Sequence, residues 1–150
     1  MTKIQSDQLI LIAEDSDDDF EITIHALKKA GNLKNPIYRV EDGQELLDYL
    51  NKKDKYEDYA DWLMPGLILL DLNMPGIDGR AALREIKGNK KLKDIPVVVL
   101  TTSNDDKDIG ECYKDGANTY IQKPVDLDGF FNAIKHLKEY WFEIAILPKK

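Results

Sequence analysis

A single cysteine, Cys112, leaves no partner for an internal disulfide and fits a reducing compartment. No apolar run approaches the roughly 18 residues that a membrane span needs. The first ten residues, MTKIQSDQLI, are too polar and too short for a signal peptide. These absences lead us to expect a cytoplasmic protein with no membrane partner. Positive charge is also short. The 21 Lys and Arg face 28 Asp and Glu, a net charge of −7. With no basic or aromatic patch, this argues against a nucleic-acid partner. Imidazole is scarce as well: His25 and His136 lie on helical stretches without ligand partners, and we read them as structural or exposed.

The 150 residues are 43% hydrophobic and 33% charged, enough for one folded domain with a real core. Apolar runs alternate with amphipathic stretches. Leu9–Asp15 reads as a buried strand ending in two acids. A helix over Asp18–Asn32 follows, with Phe20, Ile24, Leu27 and Ala30 near helical spacing. Ser16 or Asp17 can cap its start, and Gly31-Asn32 can end it. PIYRVED and GQELLDYLNKK give the next strand and a short helix. LILLDL and Gly79–Asn89 give a third pair, and the β-branched Ile95–Ser103 with DKDIGECYKDGA a fourth. TYIQKP is the fifth strand, and Asp126–Ile144 a long final helix. The loop Lys52–Gly66 is long, and its Tyr56, Tyr59 and Trp62 imply that it packs on the body. Five such alternations imply parallel strands with right-handed crossovers, and continuously apolar strands imply helices on both faces.

In an open sheet of this kind, ligands gather outside the carboxyl ends of the strands. The first strand delivers Glu14 and Asp15 there, the third Asp71, the fourth Thr101, and the fifth Lys123. Crowded carboxylates must protonate or find a cation. An oxygen-rich set without thiol or imidazole suits a hard ion, Mg2+ above all, which takes one or two carboxylates plus phosphate oxygens. Cation, ammonium and hydroxyl together could hold a phosphoryl group, and a central carboxylate could accept it.

The segments AEDSDDD, LLDLNMPGIDG, VVVLTTS and GANTYIQKP occur in order, thirty residues separating Asp71 from Thr101 and twenty-two more reaching Lys123. In this the chain resembles the response-regulator receiver domains of two-component signalling, from Leu9 to about Leu137. The resemblance implies a flavodoxin-like α/β fold, a five-stranded parallel sheet of order 2-1-3-4-5 with helices on both faces. It implies that Asp71 is the phosphoacceptor, and that Mg2+ is held by Asp15, Asp71 and the backbone carbonyl of Asn73, with Glu14 on a metal-bound water. Lys123 would contact the phosphoryl oxygens, Thr101 would hydrogen-bond them, and Tyr120 would be the aromatic that turns in response. The Lys123–Pro124 bond is expected to be cis, and Ser103 is placed to tune hydrolysis. Such a domain is a phosphoacceptor switch that promotes its own phosphorylation and slow dephosphorylation, not an enzyme for other substrates. Its partners would be a histidine kinase or phosphotransfer protein and an unknown downstream protein.

Other readings of the same residues are weaker. Asp17, Asp18 and Asp19 suit the first turn of a helix better than a ligand shell. Cys112 reads as a small helix residue. A Mg2+-dependent aspartyl-phosphate phosphatase or phosphotransferase would want a second acid two residues past the nucleophile, where Asn73 stands. A flavin-binding domain would not tolerate EDSDDD beside a phosphate. We expect a single domain over 1–150 without an output domain, ending in an apolar tail from about residue 140. That tail (YWFEIAILPKK) and the long loop resemble the small regulators paired with bacterial phytochrome histidine kinases, which implies a homodimer through the tail and the fourth-helix–fifth-strand–fifth-helix face.

Overall fold

The computed structural model describes residues 7–31, 33–72, 79–101, 106–123 and 126–141. Strands and helices alternate as β1 (Leu9–Ala13), α1 (Asp17–Gly31), β2 (Ile37–Val40), α2 (Gly43–Asn51), β3 (Pro65–Asp71), α3 (Gly79–Gly88), β4 (Val97–Thr101), α4 (Asp106–Lys114), β5 (Thr119–Gln122) and α5 (Leu127–Glu139). The strands form one sheet in the order β2-β1-β3-β4-β5, and every neighbouring pair is parallel. The expected fold class and strand order are what the structure has.

The central strands β1, β3 and β4 are buried along their whole length. Their alternate residues therefore feed two separate cores. Leu11, Ala13, Ile68, Leu70, Val97 and Val99 meet Leu46, Leu83 and Cys112 from α2, α3 and α4. Ile10, Ile12, Leu67, Leu69, Val98 and Leu100 meet Leu27 of α1 and Phe130, Ile134 and Leu137 of α5. Cys112 is thus a helix residue, as expected, and a buried one.

The long loop before β3 packs rather than projects. It contains a 3-10 turn, Asp54–Tyr56, and joins Tyr38 of β2 and Tyr49 of α2 in a cluster with Tyr56, Tyr59 and Trp62. Every polar tip in the cluster's centre is satisfied, because a bare hydroxyl would be costly there. Tyr49 donates to Leu63 O at 2.8 Å, Trp62 Nε1 to Tyr49 O at 2.8 Å, and Tyr56 to Glu45 Oε2 at 2.8 Å. Burial pushes the Tyr49 hydroxyl up to about 12.

Most boundaries differ by a residue or more from the sequence expectation, and three of the differences bear on the site or the core. β1 stops at Ala13, so Glu14 and Asp15 stand on the turn beyond it rather than in the strand. β3 begins two residues earlier, at Pro65, which is tolerated as the first residue of a strand. α5 closes at Glu139, and the chain turns more widely through Tyr140 and Trp141. Trp141 is 6% exposed and belongs to the core between α1 and α5. The expectation that it contributes to an exposed apolar tail is corrected: its indole packs into the monomer's own core. Tyr140 beside it is 50% exposed, and residues 142–150 lie outside the described residues.

Candidate functional site

β1 sends its crossover to β2 on one side while β3 flanks it on the other, so a crevice opens at their carboxyl ends. Asp71 is the last residue of β3, and Thr101 the last of β4. In the β3–β4 register Asp71 lies opposite Leu100, so Thr101 sits one step further out, fully buried. Lys123 follows β5 directly. Its N–H donates to Thr101 O at 2.7 Å, which carries the ladder one residue past the strand.

The Lys123 ammonium gathers the acids. Nζ is 2.7 Å from Glu14 Oε1, 3.0 Å from Asp19 Oδ2 and 3.3 Å from Asp71 Oδ2. The Lys123, Glu14 and Asp71 side chains are only 8%, 4% and 6% exposed. Asp15 is exposed on the outer side of the turn. Even so, Glu14, Asp15 and Asp71 each bring one carboxylate oxygen within 4.8 Å of the others.

The crowding leaves an electrostatic signature. Burial, then a hydrogen bond and repulsion from Asp71, push the Glu14 carboxyl from 4.5 up to about 7, against the pull of Lys123. Burial alone would depress Lys123. The hydrogen bond to Glu14 and the charges of Asp71 and Glu14 outweigh it and raise the ammonium above its ordinary value. One buried ammonium therefore does not offset the crowding, and Glu14 holds its proton until about pH 7. An all-oxygen donor set that retains a proton near neutrality fits a hard divalent cation in the proton's stead.

The structure brings Glu14, Asp15, Asp71, Thr101 and Lys123 to one edge. Tyr120 lies on β5, half-buried against the α4 side of the sheet, and its N–H donates to the Tyr113 hydroxyl at 3.1 Å. Asn73, Thr102, Ser103 and Pro124 lie outside the described residues, and with them the carbonyl expected to bind metal and the bond expected to be cis. His25 is exposed and meets Phe131 edge-to-face at 5.5 Å, a packing role.

Three site residues escaped the sequence reading. Asp19 is a helix-start residue, as expected, and its N–H donates to the Ser16 hydroxyl at 3.2 Å. Its carboxylate nevertheless turns back to Lys123. The serine three residues before it announced the cap but not the ion pair. Gly79 opens α3 against the end of β3: a Cβ there would stand 2.8 Å from Leu72 Cα and 2.9 Å from Asp71 O. The Asp-Gly pair was the only local signal. Arg39 of β2 donates to Glu14 O at 2.9 Å, and nothing in the sequence pointed to it.

The response regulator receiver domain family matches residues 10–135. Response regulator Rcp1 of Synechocystis is 37% identical over 141 residues, spanning 94% of this chain and 93% of that one. The phosphorylated cyanobacterial phytochrome response regulator RcpA superposes with a TM-score of 0.87 at 38% identity, covering 95% of this chain and 99% of that one. A response regulator in red light signaling of R. palustris gives 0.86 at 34%, with 95% and 99% covered. With the five-stranded sheet and the acid–lysine edge, these matches establish that the chain belongs to the response-regulator receiver domains of two-component signalling.

Proposed function

We propose that this chain is a stand-alone, phytochrome-type response regulator that takes a phosphoryl group from a histidine kinase or phosphotransfer protein onto Asp71. The observation that carries the reading is the placement of the Asp71 carboxylate: buried at the tip of β3, 3.3 Å from a buried lysine and beside two further acids. A carboxylate oxygen of Asp71 forms the new bond to phosphorus as the phosphorus–nitrogen bond of a phosphohistidine breaks, and the imidazole leaves. Lys123 lies where its ammonium offsets charge on the transferred oxygens, and the Thr101 hydroxyl at the neighbouring strand end donates to them afterwards. Mg2+, which Asp15, Asp71 and the Asn73 carbonyl would hold with Glu14 on a metal-bound water, would supply Lewis-acid neutralisation of the phosphoryl oxygens. A Mn2+-bound form of Rcp1, superposing with a TM-score of 0.86 at 36% identity, supports a divalent ion here.

Formation of the Asp71–Thr101 contact draws Thr101 inward, and Tyr120 turns to follow it, changing the α4–β5–α5 face. That face carries Tyr113 and Tyr140, each about half exposed, and supports a homodimer and a downstream protein partner. No helix among the described residues is long and apolar enough to cross a membrane, and we place the protein in the cytoplasm.

Acetyl phosphate with Mg2+ tests the reading. Intact-mass spectrometry should find one phosphoryl adduct on the wild type and none on Asp71→Asn, with the fold retained. An adduct on the variant would move the acceptor elsewhere, Asp15 first. Full labelling in excess chelator would remove the metal from the scheme.

A further inference from the structure

The acids of the site hang from a turn that has left the sheet, since β1 ends at Ala13. The Glu14 backbone is nonetheless held on both sides. Its N–H donates to Val40 O at 3.0 Å, and its carbonyl accepts from Arg39 Nε at 2.9 Å. Arg39 stands opposite Ile12 in the β1–β2 register and shares its face with α1. From there Nη1 reaches Asp17 Oδ1, the first residue of α1, at 2.7 Å. Nη2 lies 3.3 Å from Glu41 Oε1, and the guanidinium covers the Phe20 ring at 4.8 Å. The planar fork thus fastens the chain just before and just after Asp15. Asp15 is exposed, and yet its carboxylate stays with those of Glu14 and Asp71.

We propose that Arg39 is the positioning residue of the divalent-cation site: it fixes the turn between β1 and α1 so that Glu14 and Asp15 converge on Asp71. The inference rests on the cation reading of the previous subsection. Charge and position make opposite demands here. A guanidinium beside a cation site repels the incoming ion, so its charge alone disfavours binding. A clamp on the turn favours it, because ligand oxygens held in place need not be ordered on binding. Lysine keeps the charge but offers one compact donor group, not a fork that spans Glu14 and Asp17.

The test is calorimetric titration of the full chain with Mg2+, for the wild type, Arg39→Met and Arg39→Lys, each shown folded by its thermal transition. Both variants should bind about tenfold more weakly, the size of loss usual when a supporting partner of a ligand is removed. Arg39→Lys keeps the positive charge and carries the test should Arg39→Met not fold. Tighter binding by Arg39→Met would make the residue a charge and not a clamp. Wild-type affinity in Arg39→Lys, or lower melting temperatures with unchanged affinity in both, would overturn the proposal and leave the cation site standing. A wild type that takes up no Mg2+ would instead remove the cation site and this inference with it.

Discussion

In metal-free protein, stability should fall as pH rises from 5 to 7.5, the reverse of most carboxylate behaviour. The Glu14 carboxyl is lifted from 4.5 to about 7 in the folded chain. Between those values the folded state holds a proton that the unfolded state has released, so its contribution to stability is complete below 4.5 and is lost as pH rises through about 7. At about 1.4 kcal/mol for each pH unit, the loss reaches at most about 3 kcal/mol. For a chain of this size that is about 6–12 °C of melting temperature. Other displaced groups act outside the window. Burial opposes the charged form of Glu45, but hydrogen bonds from Lys55, the Glu41 N–H and Tyr56 win and hold it below 4.5, so its stability is lost only on acidification past that point. Lys123 is raised, so its contribution persists until well above 10.5. Melts in excess chelator at pH 5, 6, 7 and 7.5 measure the slope. Glu14→Gln, whose amide stands in for the protonated acid, should flatten it and be the more stable protein at pH 7.5. Mg2+ should stabilise the wild type more at pH 7.5 than at pH 5, because the ion replaces the proton. A flat or rising profile in the wild type, or an unchanged slope in Glu14→Gln, would refute the reasoning.

Gly79→Ala should destabilise the chain by about 1–3 kcal/mol and slow labelling by acetyl phosphate, since the added Cβ meets the backbone of Asp71 and Leu72 at under 3 Å; urea titration reads the first effect and mass spectrometry the second. Tyr56→Phe should cost about 1.5–3 kcal/mol by deleting the hydrogen bond to ionised Glu45, and should leave labelling unchanged, because the Tyr56 hydroxyl meets Glu45 and Tyr38 rather than the acids at Lys123. Sedimentation at tens of micromolar should find a dimer for the full chain and a weaker one for a chain ending at Trp141, a cut that spares the buried indole; two monomers would leave the apolar tail without an interface role.

The sequence by itself determined a parallel sheet and the edge on which chemistry can occur; the strand order was implied only by the resemblance to receiver domains. The apolar runs of β1, β3 and β4 are too continuous for a half-exposed sheet, and each ends in a polar side chain at the same relative position. Parallel strands joined by short crossovers must then deliver those side chains to one edge, so Glu14, Asp71, Thr101 and Lys123 were legible as a set. The tertiary structure decided what reaches that edge from outside the strands. Asp19 satisfies every local rule for a helix start, and only the approach of Lys123, 104 residues away in sequence, turns its carboxylate into part of the site. Arg39 reads as an ordinary edge-strand residue until α1 crosses the sheet and sets Asp17 and Phe20 beside its guanidinium. Trp141 shows the same limit in reverse: an apolar residue near the end of the chain looks like spare surface until α1 and α5 are seen to close over it. Local patterns encode the strand ends because those follow from backbone periodicity. Contacts between side chains distant in sequence follow from packing, which no short stretch specifies.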